Sequence, residues 1–131
     1  MSDARIAHVA VWTGDLERMA GFYQRVFAAE PGERYESRRR PGFVSRFMRL
    51  TDGPTIEIMQ APWLGVADDP TVERPGFAHI AISLGSVAAV DRLAKEAEEA
   101  GFLSSPPRLT GDGFYEAVLA DPDGNLIEIT A

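Results

Sequence analysis

The chain repeats itself once, and that repeat constrains its fold more than any other feature. Ile6-Ala7-His8-Val9-Ala10-Val11 reads against Phe77-Ala78-His79-Ile80-Ala81-Ile82 at an offset of 71 residues. At the same offset Ile56-Glu57-Ile58 falls on Ile127-Glu128-Ile129, and Asp52-Gly53 falls on Asp123-Gly124. Each histidine therefore precedes its glutamate by 49 residues. Three matches in register, with no gap, define two halves at about residues 5–60 and 76–131. Repetition of this kind settles architecture before local detail, because whatever one half folds into the other must also form. The intervening 61–75 carries Pro62, Pro70, Pro75, Gly65 and Asp68-Asp69, a composition that suits a linker rather than the interior of an element. At 131 residues the chain is close to the roughly 150 expected of one domain, so 1–131 reads as a single domain built from two modules.

Each half carries the same order of local signals. Short apolar, β-branched runs at 6–12 and 77–83 predict buried strands. A helix follows each. In the first half Asp15 can cap it, with Leu16, Met19, Ala20, Tyr23, Val26 and Phe27 at helical spacing. In the second Ser86 can cap it, with Val87, Val90, Leu93, Ala94 and Ala97 on one face and Gly101 as the stop. Three further strands are expected in each half, at 33–38, 43–50 and 55–60 and at 103–108, 114–120 and 126–130. Asp52-Gly53 and Asp123-Gly124 supply tight-turn chemistry before the last strand of each. The expected fold is α+β: two tandem βαβββ modules forming a curled mixed sheet.

The two halves place His8, Glu57, His79 and Glu128 in equivalent positions, and His8 and His79 are the only histidines present. Each of the four sits in the middle of an apolar strand. Strands project alternate side chains to opposite faces. If the isoleucines of both Ile-Glu-Ile triplets fill a helix-covered core, both glutamates point to the other, concave face. A carboxylate there is costly to desolvate unless it is paired, hydrogen-bonded or metal-bound. Two imidazoles and two carboxylates related by a pseudo-twofold axis can satisfy one another around a divalent cation. Such a mixed donor set suits zinc, nickel or cobalt foremost, then manganese or ferrous iron, and suits calcium poorly.

Composition excludes several alternatives. The net charge of −7 argues against nucleic acid or an anionic membrane surface as the main partner. The absence of cysteine removes disulfide scaffolds, thiolate zinc sites and thiol nucleophiles. No apolar run approaches the roughly 20 residues needed to span a bilayer, and no signal peptide opens the chain, so a soluble, cytoplasmic protein is expected. Asp121-Pro122-Asp123-Gly124-Asn125 lacks the longer oxygen-ligand pattern of a calcium loop and reads as a turn.

At Ile6–Val11, Gly76–Ile82 and the closing Asp121–Ile129 the sequence resembles the vicinal oxygen chelate superfamily, which includes glyoxalase I, fosfomycin-resistance thiol transferases, epimerases, extradiol dioxygenases and bleomycin-binding proteins. The resemblance covers nearly the whole chain. It implies paired βαβββ modules curled round a metal, with His8, Glu57, His79 and Glu128 matching all four ligands of the glyoxalase I pattern. It further implies a metal-dependent lyase or isomerase that moves a proton on a hemithioacetal or related α-hydroxycarbonyl through a metal-bound enediolate. Glu128 would be the principal base, Glu57 its counterpart, and His8 and His79 fixed ligands. Epimerase or dioxygenase chemistry on the same site, or non-catalytic binding of a small molecule, are the alternatives. Trp12 and Ala61 stand where similar bacterial glyoxalases carry an arginine and an asparagine that contact glutathione. Thr110–Glu116 matches the T-G-D-G-[FY]-Y-E stretch of a group of glyoxalase-like proteins.

Trp12, Phe43, Phe47, Met59, Trp63 and Tyr115 are candidates to line a substrate pocket, and the Tyr115 hydroxyl could donate to a substrate oxygen. Arg38-Arg39-Arg40, with Arg46 and Arg49, forms a basic cluster that could attract a carboxylate or phosphate. A homodimer with two equivalent sites is expected, symmetric dimers being the commonest oligomers.

Overall fold

The computed structural model describes residues 2–66 and 68–131. It divides into two compact units, Met1–Val66 and Ala67–Ala131, the boundary lying inside the expected linker.

The first unit contains β1 (His8–Trp12), α1 (Leu16–Phe27), β2 (Glu30–Pro31), β3 (Tyr35–Glu36), β4 (Val44–Arg49) and β5 (Thr55–Gln60). The second contains β6 (His79–Ser83), α2 (Val87–Ala100), β7 (Leu103–Leu109), β8 (Tyr115–Ala120) and β9 (Leu126–Thr130). Each unit forms its own open mixed sheet. The strand order is β1-β5-β4-β2 in the first, with β3 also on β4, and β6-β9-β8-β7 in the second. The α+β class and the duplicated βαβββ order are as the repeat predicts.

Both helices begin where the capping residues place them. The Asp15 carboxylate accepts from the Arg18 N–H at 3.1 Å, and the Ser86 hydroxyl accepts from the Ala89 N–H at 3.1 Å. These contacts satisfy one of the amides that every helix start leaves without a partner. Gly101, at φ +86°, ends α2 in the left-handed region that glycine adopts without strain. α1 packs on β2, β4 and β5, and α2 on β7, β8 and β9.

Each helix covers one face of its sheet, and the apolar side chains of that face form the core. Leu16, Met19, Tyr23, Met48, Ile56 and Ile58 are buried in the first unit, and Val90, Ala94, Leu119, Ile127 and Ile129 in the second. Burying an Ile side chain contributes about 1.5–3 kcal/mol, so the four isoleucines flanking the two glutamates fix which way those strands face.

The expected strands at 6–12 and 77–83 begin only at His8 and His79, and one expected strand is broken. The strand expected at 33–38 is replaced by the two-residue β2 and β3, both paired to β4 but separated by Gly32, whose N–H donates to the Phe47 carbonyl at 2.7 Å. A Cβ at Gly32 would lie 3.1 Å from that carbonyl oxygen, a tight contact that a side chain there could make only if β4 gave way by a few tenths of an ångström. β7 tolerates Pro106 and Pro107 because it is an edge strand, and its pairing with β8 shifts register across them, after an earlier shift between Leu103 and Ser105.

Candidate metal centre

Parallel pairing of the first and last strands of each unit brings its histidine and glutamate together. In the first unit Ala10 lies opposite Glu57, and in the second Ala81 lies opposite Glu128. Each histidine is therefore two residues from its glutamate's partner, on the same face by strand alternation. His8 Nε2 stands 3.6 Å from Glu57 Oε1, and His79 Nε2 stands 3.1 Å from Glu128 Oε2. The glutamates are largely covered and the imidazoles more open, with side-chain exposures of 17% and 21% against 46% and 37%. Both pairs occupy the face opposite the helix, because Ile56, Ile58, Ile127 and Ile129 occupy the other.

Each pair offers one imidazole nitrogen and one carboxylate oxygen, a donor set that fits zinc, nickel or cobalt. Within either unit, among the described residues, no three His, Asp or Glu side chains cluster at metal-binding geometry.

The surroundings of the two pairs differ. In the second unit a cavity of about 310 Å³ is lined by His79, Ala81 and Glu128 together with Asp112, Phe114, Glu116 and Thr130. Glu116 is opposite Thr130, and Val118 is opposite Glu128, which puts the Glu116 carboxyl on the same face as Glu128. Partial burial holds the Glu116 carboxyl above its ordinary range, helped by its hydrogen bond to Glu128 and by the negative charges of Glu128 and Asp112, with Arg108 opposing. Asp112 is set by the turn that opens β8. There the Thr110 hydroxyl donates to the Asp112 carboxylate and accepts from the Phe114 N–H, and Gly113 takes φ +95°.

Asp112, Phe114, Glu116 and Thr130 were not singled out from the sequence. The signal was present in Thr110–Glu116 and needed only the pairing of β8 with β9 to be read. That pairing also corrects the expectation for Tyr115. It alternates with Glu116 and so lies on the helix side, where its hydroxyl donates to the Asp91 carboxylate of α2. That hydrogen bond is the main cause that raises the phenol above its usual range. Tyr115 is thus directed away from the face that bears Glu128.

In the first unit the pair is bordered by aromatic rings. Phe47, opposite Glu57, meets the His8 ring edge-on at 5.5 Å between centroids. Trp12, on the strand of His8, meets Phe43 edge-on at 5.9 Å, and Met59 is opposite Trp12. Trp63 lies beneath the Arg40 guanidinium, 4.4 Å from its ring centroid.

The basic cluster disperses. Arg46 donates to Glu17 at 3.0 Å and to the Gly32 carbonyl at 2.7 Å, and Arg49 pairs with Glu30 at 2.6 Å. Asp121-Pro122-Asp123-Gly124-Asn125 is a turn. Asp121 accepts from the Asp123 and Asn125 N–H groups and from Asn125 Nδ2, each at 2.9 Å.

The profile of the Glyoxalase/Bleomycin resistance protein/Dioxygenase superfamily matches residues 5–129. Among solved structures, a glyoxylase/bleomycin resistance protein/dioxygenase domain from Frankia sp. EAN1pec superposes with a TM-score of 0.82 at 21% identity, covering 98% of this chain and 92% of that one. The trypanothione-dependent glyoxalase I of Leishmania major gives a TM-score of 0.75 at 19% identity, covering 98% of this chain and 86% of the other. Glyoxalase I of Zea mays gives 0.76 at 21% identity over 96% of this chain, which spans only 44% of the maize protein. At these identities the likeness is one of fold. No match is found among curated protein sequences.

Proposed function

Because the chain belongs to the Glyoxalase/Bleomycin resistance protein/Dioxygenase superfamily, we propose that it is a divalent-metal-dependent lyase or isomerase of glyoxalase type. Its substrate in this reading is a hemithioacetal or a related α-hydroxycarbonyl. The supporting observation is the duplicated histidine–glutamate contact, at 3.6 Å and 3.1 Å, on the helix-free face of each unit.

His8, Glu57, His79 and Glu128 are the proposed ligands, two from each unit, with zinc, nickel or cobalt the metals their chemistry favours. A bound divalent cation supplies Lewis-acid stabilisation of negative charge on substrate oxygens. The chain's own residues do the rest. Glu128 takes a proton from the substrate carbon and returns it to the neighbouring carbon, a general-base role that contributes about 10²–10⁴-fold. Glu116, which lines the same cavity as Glu128, holds that carboxylate in place. Glu57 faces Phe47 instead and acts as ligand more than base. The two units work as one domain, in a cytoplasmic homodimer that carries two equivalent sites. Among the described residues no helix is long and apolar enough to cross a membrane.

The test is elemental analysis of the purified protein followed by a methylglyoxal assay with several thiols, glutathione included. Stoichiometric divalent metal and thiol-dependent isomerisation are expected, with Glu128→Gln lowering the rate about 10²–10⁴-fold and Glu57→Gln lowering it less. A metal-free protein inactive with every thiol, or a Glu128→Gln variant of undiminished rate, would refute the reading.

A further inference from the structure

The His8–Glu57 face carries an aromatic array that proton transfer does not require. Trp12, Phe43 and Phe47 share that face by strand alternation. Tyr35 meets Phe43 at 6.4 Å between centroids, and Trp12 meets it at 5.9 Å. Trp12, Tyr35 and Trp63 remain 42%, 56% and 45% exposed, so their large apolar surfaces face solvent while Trp12 and Tyr35 meet Phe43 and Trp63 meets Arg40. Rings left exposed together in this way mark a binding surface.

Arg40 stands over the array, 4.4 Å from the Trp63 centroid and 5.9 Å from that of Phe43. Among the described residues no carboxylate lies within salt-bridge distance of its guanidinium, in contrast to Arg34, Arg46 and Arg49. A guanidinium seated over ring faces is positioned without using up its N–H donors, which stay available for a planar anion. The backbone holds it there. The Arg40 N–H donates to the Ser37 hydroxyl, Phe43 N–H to the Arg40 carbonyl, and Ser37 N–H to the Phe43 carbonyl, all at 3.0 Å. Gly42, at φ +92°, lets this turn close on Pro62, next to Trp63; a Cβ there would lie 2.7 Å from the proline ring. In a chain of net charge −7, a fixed cation over Trp63 and Phe43 selects for an anion.

We propose that this array binds a carboxylate bearing an aromatic ring, the ring packing against Trp12, Phe43 and Trp63 and the carboxylate meeting Arg40. Calling the bound molecule the enzyme's substrate rests on the function proposed above; the binding itself does not. Arg40 and Trp63 are binding residues in this assignment.

Trp12 and Trp63 are the only tryptophans, so intrinsic fluorescence reports directly on the array. The full chain, as purified, is titrated with phenylacetate, acetate and benzyl alcohol at constant ionic strength. Phenylacetate is expected to change the emission saturably, with a Kd at least about tenfold below those of the other two, because only it engages both ring and cation. Arg40→Gln is expected to weaken phenylacetate about tenfold and leave benzyl alcohol unchanged, and Arg40→Lys to restore only part of the loss. Equal affinity for acetate and phenylacetate, or phenylacetate binding indifferent to Arg40→Gln, would overturn the proposal. Pairing the titration with the methylglyoxal assay on the wild-type protein separates the two readings. Arg40-dependent phenylacetate binding in a wild type that shows no isomerisation with any thiol defeats the reaction alone. Thiol-dependent activity with Arg40-indifferent binding defeats the array alone.

Discussion

Asp121→Asn probes how the turn before β9 holds the strand that carries Glu128. The Asp121 carboxylate is only 5% exposed and accepts three hydrogen bonds of 2.9 Å. Oδ1 takes the Asp123 and Asn125 N–H groups, and Oδ2 takes the Asn125 side-chain amide. Asparagine keeps an oxygen for the two backbone donors and loses the third bond, a cost of about 1 kcal/mol; alanine strands all three, about 3 kcal/mol. The pH dependence carries the sharper test. Burial pushes the Asp121 carboxyl above its ordinary value of 3.8, and the hydrogen bonds from Asn125 and Asp123 offset this only in part. With the folded value raised, the unfolded chain gives up its proton first. This group's contribution is therefore fully present below the unfolded value and is lost as pH rises through the folded one. Asparagine does not titrate. Urea denaturation of wild type, Asp121→Asn and Asp121→Ala from about pH 3.5 to about pH 7 should show the wild-type advantage over Asp121→Asn largest at the acid end and shrinking toward neutrality. An advantage that instead widened with pH would mean that the three donors outweigh burial, and the reasoning would be wrong.

Two further substitutions test the placement of side chains around the site. Gly42→Ala forces a left-handed φ of +92° on a residue whose Cβ would meet Pro62 at 2.7 Å, so a loss of about 2 kcal/mol or more in urea denaturation is expected, with a shift in tryptophan emission as the Arg40 turn lifts from Trp63; unchanged stability would show that the turn relaxes without strain. Tyr115→Phe removes a hydroxyl that is bonded to Asp91 on the helix side, and metal content and turnover should stay within about twofold of wild type. A tenfold loss of turnover would return Tyr115 to the site.

The repeat made the architecture legible because strand alternation and the Ile-Glu-Ile triplets admit one orientation. With Ile56, Ile58, Ile127 and Ile129 under the helices, Glu57 and Glu128 must face away from them. The capping residues Asp15 and Ser86 and the stop at Gly101 were readable for a similar reason, since each supplies a local bond or backbone conformation that few residue types can. What stayed hidden depends on pairing across strands. Tyr115 and Glu116 are adjacent, and either could face the cavity until the register of β8 against β9 is known. The break at Gly32 is set by a carbonyl on β4, a contact remote in sequence. The dispersal of the arginines follows from partners as distant as Glu17 for Arg46.

The duplication is kept at the histidines and glutamates, at Ala10 and Ala81 and at Phe43 and Phe114, and is lost at other positions around them. At the offset of 71 residues Glu116 falls on Ser45, Asp112 on Pro41, Val118 on Phe47, Thr130 on Met59 and Ser83 on Trp12. The second face is therefore acidic and polar where the first is aromatic. A carboxylate proposed to gain and lose a proton is served by a neighbour such as Glu116, which shares the cavity and strand face of Glu128. Glu57 lies opposite Phe47 and, among the described residues, makes no contact with a second carboxylate, which in the proposed function suits it to holding a ligand beside an apolar surface. Under the function proposed above, two copies of one module that differ at these positions would separate proton handling from recognition. Glu128 rather than Glu57 would then be the base, and the determinants of substrate choice would lie in the first half of the chain.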